Sequence, residues 1–254
     1  MKTVLTICFL LAGVFSAWIK VTSAEIKPEL HLEISATDPR TIPDIVRRVR
    51  RLFDLDADLN SALSVLQSEP FFASSINKNP GLRIPGAWDG FEMMVRTVLG
   101  PNANLQAIVD RFGEKRTNGI NGLDRVFPTA KQLANASLES IGIPKSRAVT
   151  VRALATAALN QQIDFRAGQR LDEFVERATQ LPGVGLWTAH YVAIRALNHP
   201  DAFPAGNQIL RKILGEGKPL SESKIETISQ SWRPWRAYAT IHLWNLANGF
   251  QDLK

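Results

Sequence analysis

Apolar residues recur at helical spacing through most of the chain after residue 41. From Ile42 to Phe53 they repeat every three or four positions, and arginines fill the other faces, which is the pattern of an amphipathic helix. Glycine and proline separate the later segments and favour short connections between helices. The pattern predicts further helices at Leu59–Leu66, Phe91–Leu99, Leu105–Phe112, Lys131–Ala134, Ser146–Asn160, Leu171–Gln180, Val184–Leu197, Gln208–Leu214 and Trp235–Ala247.

The first 40 residues follow a strand pattern instead. Residues 4–10 form an apolar run, Gly13 offers a turn, and residues 15–21 are rich in β-forming side chains. Residues 31–35 alternate between apolar and polar, as a half-exposed strand does. These features predict two or three short strands before the helices begin.

A secretory signal peptide is the competing interpretation of residues 1–24. Lys2 supplies a positive charge, residues 3–19 are largely apolar, and Thr22-Ser23-Ala24 is a small-residue end. The apolar stretch is short for a membrane span. Local sequence alone leaves both interpretations open.

The amino-acid composition excludes few classes of function. The 254 residues are 45% hydrophobic and carry a net charge of +6, which suits one large or two small domains and is compatible with a polyanionic partner or with simple solubility. The single cysteine, Cys8, excludes an internal disulfide. The four histidines lack metal-ligand spacing with it, and no cofactor motif is present, so we expect no cofactor.

The strongest motif is the segment LPGVGLWTA at residues 181–189. Gly183 and Gly185 permit a tight turn and a close approach to another backbone. The helix that follows presents unpaired N–H groups, where an anion such as a DNA phosphate can bind. An ordinary glycine-rich helix connection is the alternative, but the intact Pro-Gly-x-Gly-x-x-Thr-Ala spacing favours a helix-hairpin-helix motif.

With this motif and several others in the same order, the chain resembles the AlkA-type DNA-3-methyladenine glycosylases of the helix-hairpin-helix superfamily. The other segments that carry the resemblance are RLFDLDAD at 51–58, PGLRIPGAWDGFE at 80–92, FPT at 127–129, DAFPAG at 201–206 and WRPWRAYA at 232–239. The resemblance implies a mostly α-helical glycosylase body at residues 41–254. It also implies that residues 1–40 are a small β-containing remnant of the family's N-terminal α/β domain, whose earlier part is absent.

The activity that the resemblance implies is hydrolysis of the N-glycosidic bond of an alkylated base in duplex DNA, after the base is flipped out of the helix. We therefore expect double-stranded DNA as the partner, a monomeric, cytoplasmic protein, and no membrane association. Since base-excision repair has no substrate outside the cell, this expectation favours strands over a signal peptide at the N-terminus.

Matching the family motif assigns the residues of the site. Trp187, Tyr191 and Trp244 are the expected pocket aromatics for a cationic base, with core packing as the alternative, nearly equal for Tyr191. Trp232 and Trp235 are expected in the core. Arg233 and Arg236 are expected to pair with acids or to approach the backbone, and the sequence does not choose between the two.

The hairpin residues are expected to contact DNA. These are Gly183, Val184, Gly185 and Thr188. The backbone carbonyls of Thr179, Leu181 and Val184 are expected to hold a monovalent cation, as the resemblance implies.

Two positions depart from the family pattern. The catalytic aspartate position is occupied by Asn207, an amide that also suits a helix N-cap. A unit charge about 4 Å from the developing sugar cation is worth on the order of 4 kcal/mol at an effective dielectric near 20, or about 10³ in rate. Asn102, after Pro101, occupies the position from which the family inserts a side chain into the DNA. These changes predict impaired catalysis, or a non-catalytic protein that binds lesions or duplex DNA.

Overall fold

The computed structural model describes residues 2–11, 15–24, 27–101, 103–115 and 125–251. Within these ranges, side chains are described from residue 18 to residue 247. The chain divides into two compact units, the first formed by Met1–Arg48 with Asn102–Leu159 and the second by Val49–Pro101 with Asn160–Lys254.

The N-terminal segment forms strands, as predicted. Strands β1 (Lys2–Leu11), β2 (Phe15–Ser23) and β3 (Leu30–Ala36) make an antiparallel sheet in the order β1-β2-β3. Ile19 pairs with Ile34 and Val21 with Leu32. Ile19 and Val21 are fully buried, so the alternation in the sequence corresponds to one buried face. The turn predicted at Gly13 lies outside the described residues.

The rest of the described chain is helical, which confirms the mostly α-helical fold class. Its α-helices are α1 Ile42–Leu52, α2 Leu59–Leu66, α3 Ala73–Lys78, α4 Gly90–Leu99, α5 Leu105–Phe112, α6 Ala130–Leu133, α7 Lys145–Leu159, α8 Leu171–Thr179, α9 Leu186–Leu197, α10 Gln208–Leu214, α11 Glu222–Ile228 and α12 Arg236–Gln251. In the described parts of the chain, no helix is long and apolar enough to cross a membrane.

The sequence pattern did not predict two short helices, α3 and α11. Helix α3 follows a 3-10 turn and has no side-chain cap, and six residues are too few to show a helical period. Helix α11 does have a cap, because the Ser221 side chain accepts the N–H of Lys224. Ser221 could have indicated the start of α11 in the sequence. The third residue after it, however, is a lysine rather than the Glu or Gln of a capping box.

In the second unit, α9 lies at the centre of the packing. It packs against α4 and α8, and its inward face is mostly small: Ala189, Val192, Ala193 and Ala196 are fully buried. Small side chains let helix backbones approach closely, and this fixes the position of α9. Trp232 is also fully buried, as predicted, while Trp235 is only half-buried and packs edge-on against Tyr238.

Candidate nucleic-acid interface and base pocket

The predicted hairpin forms a tight turn between α8 and α9. Gly183 has a φ of +76°, in the left-handed region that favours glycine. The N–H of Val184 donates to the carbonyl of Leu181 at 3.1 Å and closes the turn. Gly185 is the N-cap of α9, and its carbonyl accepts the N–H of Ala189 at 3.0 Å.

The start of α9 was predicted two residues too early. Val184 belongs to the turn rather than to the helix, is buried, and has its N–H occupied. The N–H groups without intrahelical partners are therefore those of Leu186, Trp187 and Thr188. A Cβ built on Gly185 meets nothing within 4 Å, so this side of the turn is open to an approaching backbone.

The three carbonyls assigned to a monovalent cation suit that role chemically. Thr179 ends α8, and the last carbonyls of a helix lack intrahelical partners. The Leu181 carbonyl accepts one N–H and keeps a second lone pair. An all-oxygen donor set at a turn suits a hard cation.

The three predicted pocket aromatics lie together. Trp187 and Tyr191, one turn apart on α9, are stacked with ring centroids 5.5 Å apart and planes 10° from parallel. Trp244, from α12, lies 5.8 Å from Tyr191 at 57°. A flat base between two rings needs a spacing of about 7 Å, twice the contact distance of carbon atoms. A base therefore stacks on the outer faces of the cluster or separates its rings.

An arginine that sequence reasoning missed fixes the orientation of Tyr191. Arg195 Nη1 donates to the Tyr191 hydroxyl at 3.1 Å, and its Cζ lies 5.8 Å from the ring centroid. Its Nε also donates to the carbonyl of Pro85. The guanidinium thus sits at the hydroxyl edge of the ring. Its position one turn after Tyr191, at an i,i+4 spacing, was the available marker.

Asn207 is the N-cap of α10, the alternative role predicted for it. Its Oδ1 accepts the N–H groups of Ile209 at 3.0 Å and Leu210 at 3.1 Å. The indole Nε1 of Trp244 donates to the same oxygen at 3.4 Å. Position 207 therefore touches the aromatic cluster, and the group it presents there is neutral.

The loop that leads to Asn207 is held by a buried ion pair. The carboxylate of Asp201 accepts from Arg236 at 2.8 and 3.0 Å and also pairs with Arg233. Arg236 is 3% exposed, and it donates to the Asp201 carbonyl and to Glu226 as well. The two arginines therefore pair with acids, and Arg236 additionally contacts the backbone. Because the Asp201 carboxylate is paired with two arginines, we expect it to hold the loop in place rather than to act in the chemistry.

His190, which the sequence did not single out, holds the same loop. Its Nδ1 accepts the N–H of Phe203 at 3.2 Å. Burial, together with the nearby positive charge of Arg236, lowers the pKa of His190 to about 4. The ring is therefore neutral at pH 7 and available as an acceptor.

Comparison with known proteins agrees with this geometry. Residues 8–89 match the AlkA N-terminal domain. The chain is 30% identical to DNA-3-methyladenine glycosylase 2 of Escherichia coli, over 85% of this chain and 76% of that protein. The chain belongs to the AlkA family of DNA-3-methyladenine glycosylases.

Other relatives extend the comparison. The chain is 35% identical to the Mycobacterium tuberculosis protein named "Probable bifunctional transcriptional activator/DNA repair enzyme AlkA", over 82% of this chain but only 43% of that protein. The chain thus spans less than half the length of that relative. A solved 3-methyladenine DNA-glycosylase from Archaeoglobus fulgidus shares the fold, with a TM-score of 0.78 at 18% identity, covering 96% of this chain and 87% of that one.

The sequence predicts departures from the family pattern at two positions. The first, at position 207, is described above. The second cannot be placed, because Asn102 lies outside the described residues. On one side of it, Gly100 ends α4 with a φ of +75°, and on the other, the Asn104 side chain caps α5 by accepting the N–H of Ala107.

Proposed function

We propose that this chain binds duplex DNA, stacks a flipped alkylated base of the 3-methyladenine type on Trp187, Tyr191 and Trp244, and hydrolyses its N-glycosidic bond slowly. The observation that supports this most is the hydrogen bond from Trp244 to Asn207, because it joins the aromatic cluster to the family's catalytic position. Relatives named as DNA-3-methyladenine glycosylases support the same activity.

Slow catalysis follows from the charge at position 207. In the hydrolysis, the bond from C1′ to the base breaks and the base keeps the electron pair, so that a cationic base leaves as a neutral molecule. A water oxygen bonds to C1′ and that water releases a proton to the solvent. Positive charge develops on the sugar as the base leaves. A carboxylate would offset that charge, whereas the amide of Asn207 carries none and its Oδ1 already accepts three N–H groups.

A non-catalytic lesion- or duplex-binding protein is the second candidate. The neutral Asn207 favours it, because stacking of a flipped base requires the aromatic rings and not the charge. Under this alternative the chain would hold a lesion without releasing the base.

For the DNA contacts, the proposal assigns the backbone of the hairpin to phosphate. The assigned residues are Gly183, Gly185 and Thr188, with Asn102 inserted into the gap left by the base. Val184 is left out of the phosphate contact because its N–H donates to the Leu181 carbonyl. The carbonyls of Thr179, Leu181 and Val184 would hold a monovalent cation beside that phosphate. We further propose that the protein acts as a cytoplasmic monomer and that the glycosylase body begins near residue 41.

The test measures free base released from methylated duplex DNA by chromatography, together with binding of a duplex containing an uncleavable abasic analogue. Slow release with tight binding supports the glycosylase, and tight binding with no release supports the second candidate. Trp187→Ala is the matched variant, and it should weaken the preference for the abasic analogue over undamaged DNA. No base release together with no binding to either damaged or undamaged duplex would refute both candidates.

A further inference from the structure

Helix α9 carries two stacked rings of the aromatic cluster and, between them in sequence, a side chain that holds the neighbouring loop. Trp187 and Tyr191 stack with ring centroids 5.5 Å apart. His190 lies on the same helix, and its Nδ1 accepts the N–H of Phe203 at 3.2 Å. Phe203 belongs to the loop that connects α9 to α10 and leads to Asn207. One helix therefore presents the rings and also anchors the loop.

The turn from Phe203 to Asn207 connects this anchor to the start of α10. The Phe203 ring is buried and packs edge-on against Trp232. The Phe203 carbonyl accepts the N–H of Ala205 at 3.1 Å, and the Pro204 carbonyl accepts the N–H of Asn207 at 2.8 Å. Because these bonds link neighbouring residues of one turn, a shift of Phe203 moves Asn207 with it.

The earlier part of the loop is held to α12 instead. There the carbonyl of Pro200 accepts the N–H of Ala237 at 2.8 Å. His199 also accepts a backbone N–H, that of Asp201, at 3.2 Å, but this bond lies within the loop itself. His199 and His190 therefore make the same kind of bond at the same length, and of the two the bond of His190 joins the loop to the helix with the rings.

The bond from the loop requires a neutral His190 with its proton on Nε2, because Nδ1 must offer a lone pair. Burial, together with the positive charge of Arg236, lowers the pKa of His190 to about 4. His199 acts in the same direction, whereas the carboxylates of Glu226 and Asp201 oppose it. The imidazole is therefore neutral at pH 7, where it can accept the bond.

We propose that His190 is a positioning residue that sets where position 207 stands relative to the stacked rings. This inference rests on the proposed function, in which position 207 faces the sugar of the flipped base. A reacting group that is displaced by about 1 Å can lose about 10²-fold in rate. A loop without its anchor would therefore slow base release, while the rings on α9, and with them lesion binding, stay in place.

The rate test uses Asn207→Asp as the reference protein, because the faster release expected of it makes losses measurable. In that background, His190→Leu removes the acceptor and should slow single-turnover base release by about tenfold to a hundredfold. Affinity for an abasic-analogue duplex should change by less than about threefold, since no stacking ring is lost.

Two further variants separate the hydrogen bond from the side chain. His190→Asn keeps an acceptor close to where Nδ1 lies and should recover the rate to within about fivefold of the reference, the size of one ordinary hydrogen bond. His199→Leu is the matched control, since it removes a bond of equal length that does not reach α9. Its rate should also stay within about fivefold of the reference.

Amide hydrogen exchange, followed by NMR in the natural protein, measures the anchor without any catalysis. His190→Leu should speed exchange at the N–H groups of Phe203 and Asn207, because the loop opens more often. Exchange at Tyr191, inside α9, should not change. The ring nitrogen shifts of His190 should show the proton on Nε2 at pH 7.

Three results would overturn the inference. These are equal slowing of release by His190→Leu and His190→Asn, slowing by His199→Leu as large as that by His190→Leu, and unchanged exchange at Phe203 in His190→Leu. If the Asn207→Asp protein releases no base, the proposed function fails, while exchange at Phe203 and Asn207 still decides whether His190 holds position 207.

Discussion

The indole Nε1 of Trp244 donates a hydrogen bond to Oδ1 of Asn207 across 3.4 Å. Because of this contact, Trp244 can affect lesion binding in two ways, through stacking of its ring and through its hydrogen bond, and the two can be measured separately. Trp244→Phe keeps an aromatic face and removes the N–H, whereas Trp244→Ala removes both. We expect Trp244→Ala to weaken lesion binding about tenfold or more, since stacking a base on an aromatic ring is worth about 1–3 kcal/mol.

Fluorescence anisotropy with an abasic-analogue duplex would measure both variants. The phenylalanine variant should stay within about threefold of the natural protein, because a single long hydrogen bond to a neutral amide contributes about 1 kcal/mol or less. Equal losses in the two variants would contradict a stacking role for this ring.

A second prediction concerns the capping role of Asn207. Asn207→Ala removes the acceptor for the N–H groups of Ile209 and Leu210 and should lower the free energy of unfolding by about 1 kcal/mol. Asn207→Asp keeps the acceptor and adds a negative charge at the start of α10, where the helix dipole favours it. Urea denaturation should therefore show a loss for alanine and none for aspartate. A destabilised aspartate variant would mean that its carboxylate is not accommodated at the cap.

The hairpin yields a third prediction. Gly185→Asp places a negative charge beside the N–H groups that open α9, and the open space around Gly185 leaves the fold intact. Binding to damaged and undamaged duplexes should fall by the same factor, because phosphate contacts carry no sequence information. Gly81→Asp is the matched control, since a Cβ at Gly81 also meets nothing within 4 Å. A loss confined to damaged DNA would argue against a backbone–phosphate contact.

The buried acid at the loop is expected to be structural. Asp201→Ala leaves the guanidinium of Arg236 buried without its main partner and should cost about 3–5 kcal/mol in unfolding free energy. Asp172→Ala removes an exposed partner of Arg170 and should produce no measurable change. If Asp201→Ala instead abolished base release while leaving stability unchanged, Asp201 would have to act in the chemistry.

We expect Asp54 to make the free energy of unfolding depend on pH. This carboxylate accepts from the Tyr238 hydroxyl at 2.9 Å and from the Ile84 N–H at 3.2 Å, and its burial raises its pKa above the ordinary value. The folded state thus favours the protonated form of Asp54. The protonated carboxyl stabilises the fold at low pH, and this stabilisation is lost as the pH rises through the raised pKa.

Asp54→Asn keeps an acceptor for both donors and does not titrate. Asparagine also tolerates the φ of +52° at this position. Relative to this variant, the natural protein should lose unfolding free energy as the pH rises above the ordinary aspartate pKa of 3.8. A stability difference that does not change with pH would contradict the raised pKa.

Much of the fold could be predicted because it depends on local periodicity. Helices with a clear apolar face, such as α5 and α10, begin and end where the pattern placed them. The start of α9 could not be placed from the pattern, because Val184 is apolar and buried like a helical residue while its N–H closes a turn.

The site likewise has features that could be predicted from the sequence and features that could not. The three aromatic residues could be chosen from the family motif, because they are residue identities at fixed spacing, and the structure brings their rings together. The contacts of Arg195 with Tyr191 and of His190 with the Phe203 N–H were not predicted. The i,i+4 spacing brings Arg195 near Tyr191, but each contact also depends on a side-chain direction that the sequence pattern does not contain.

Under the proposed function, Asn207 leaves the base-stacking and DNA-contacting residues in place but lacks the charge that speeds bond cleavage. Single-turnover release of alkylated base is to be measured at saturating enzyme with the natural protein and with Asn207→Asp. We expect the aspartate variant to be faster by about two to three orders of magnitude, the usual size of one electrostatic catalytic contact, with affinity for the uncleaved duplex nearly unchanged. Equal rates in the two proteins would contradict this role of position 207 and would require another acid to stabilise the sugar cation.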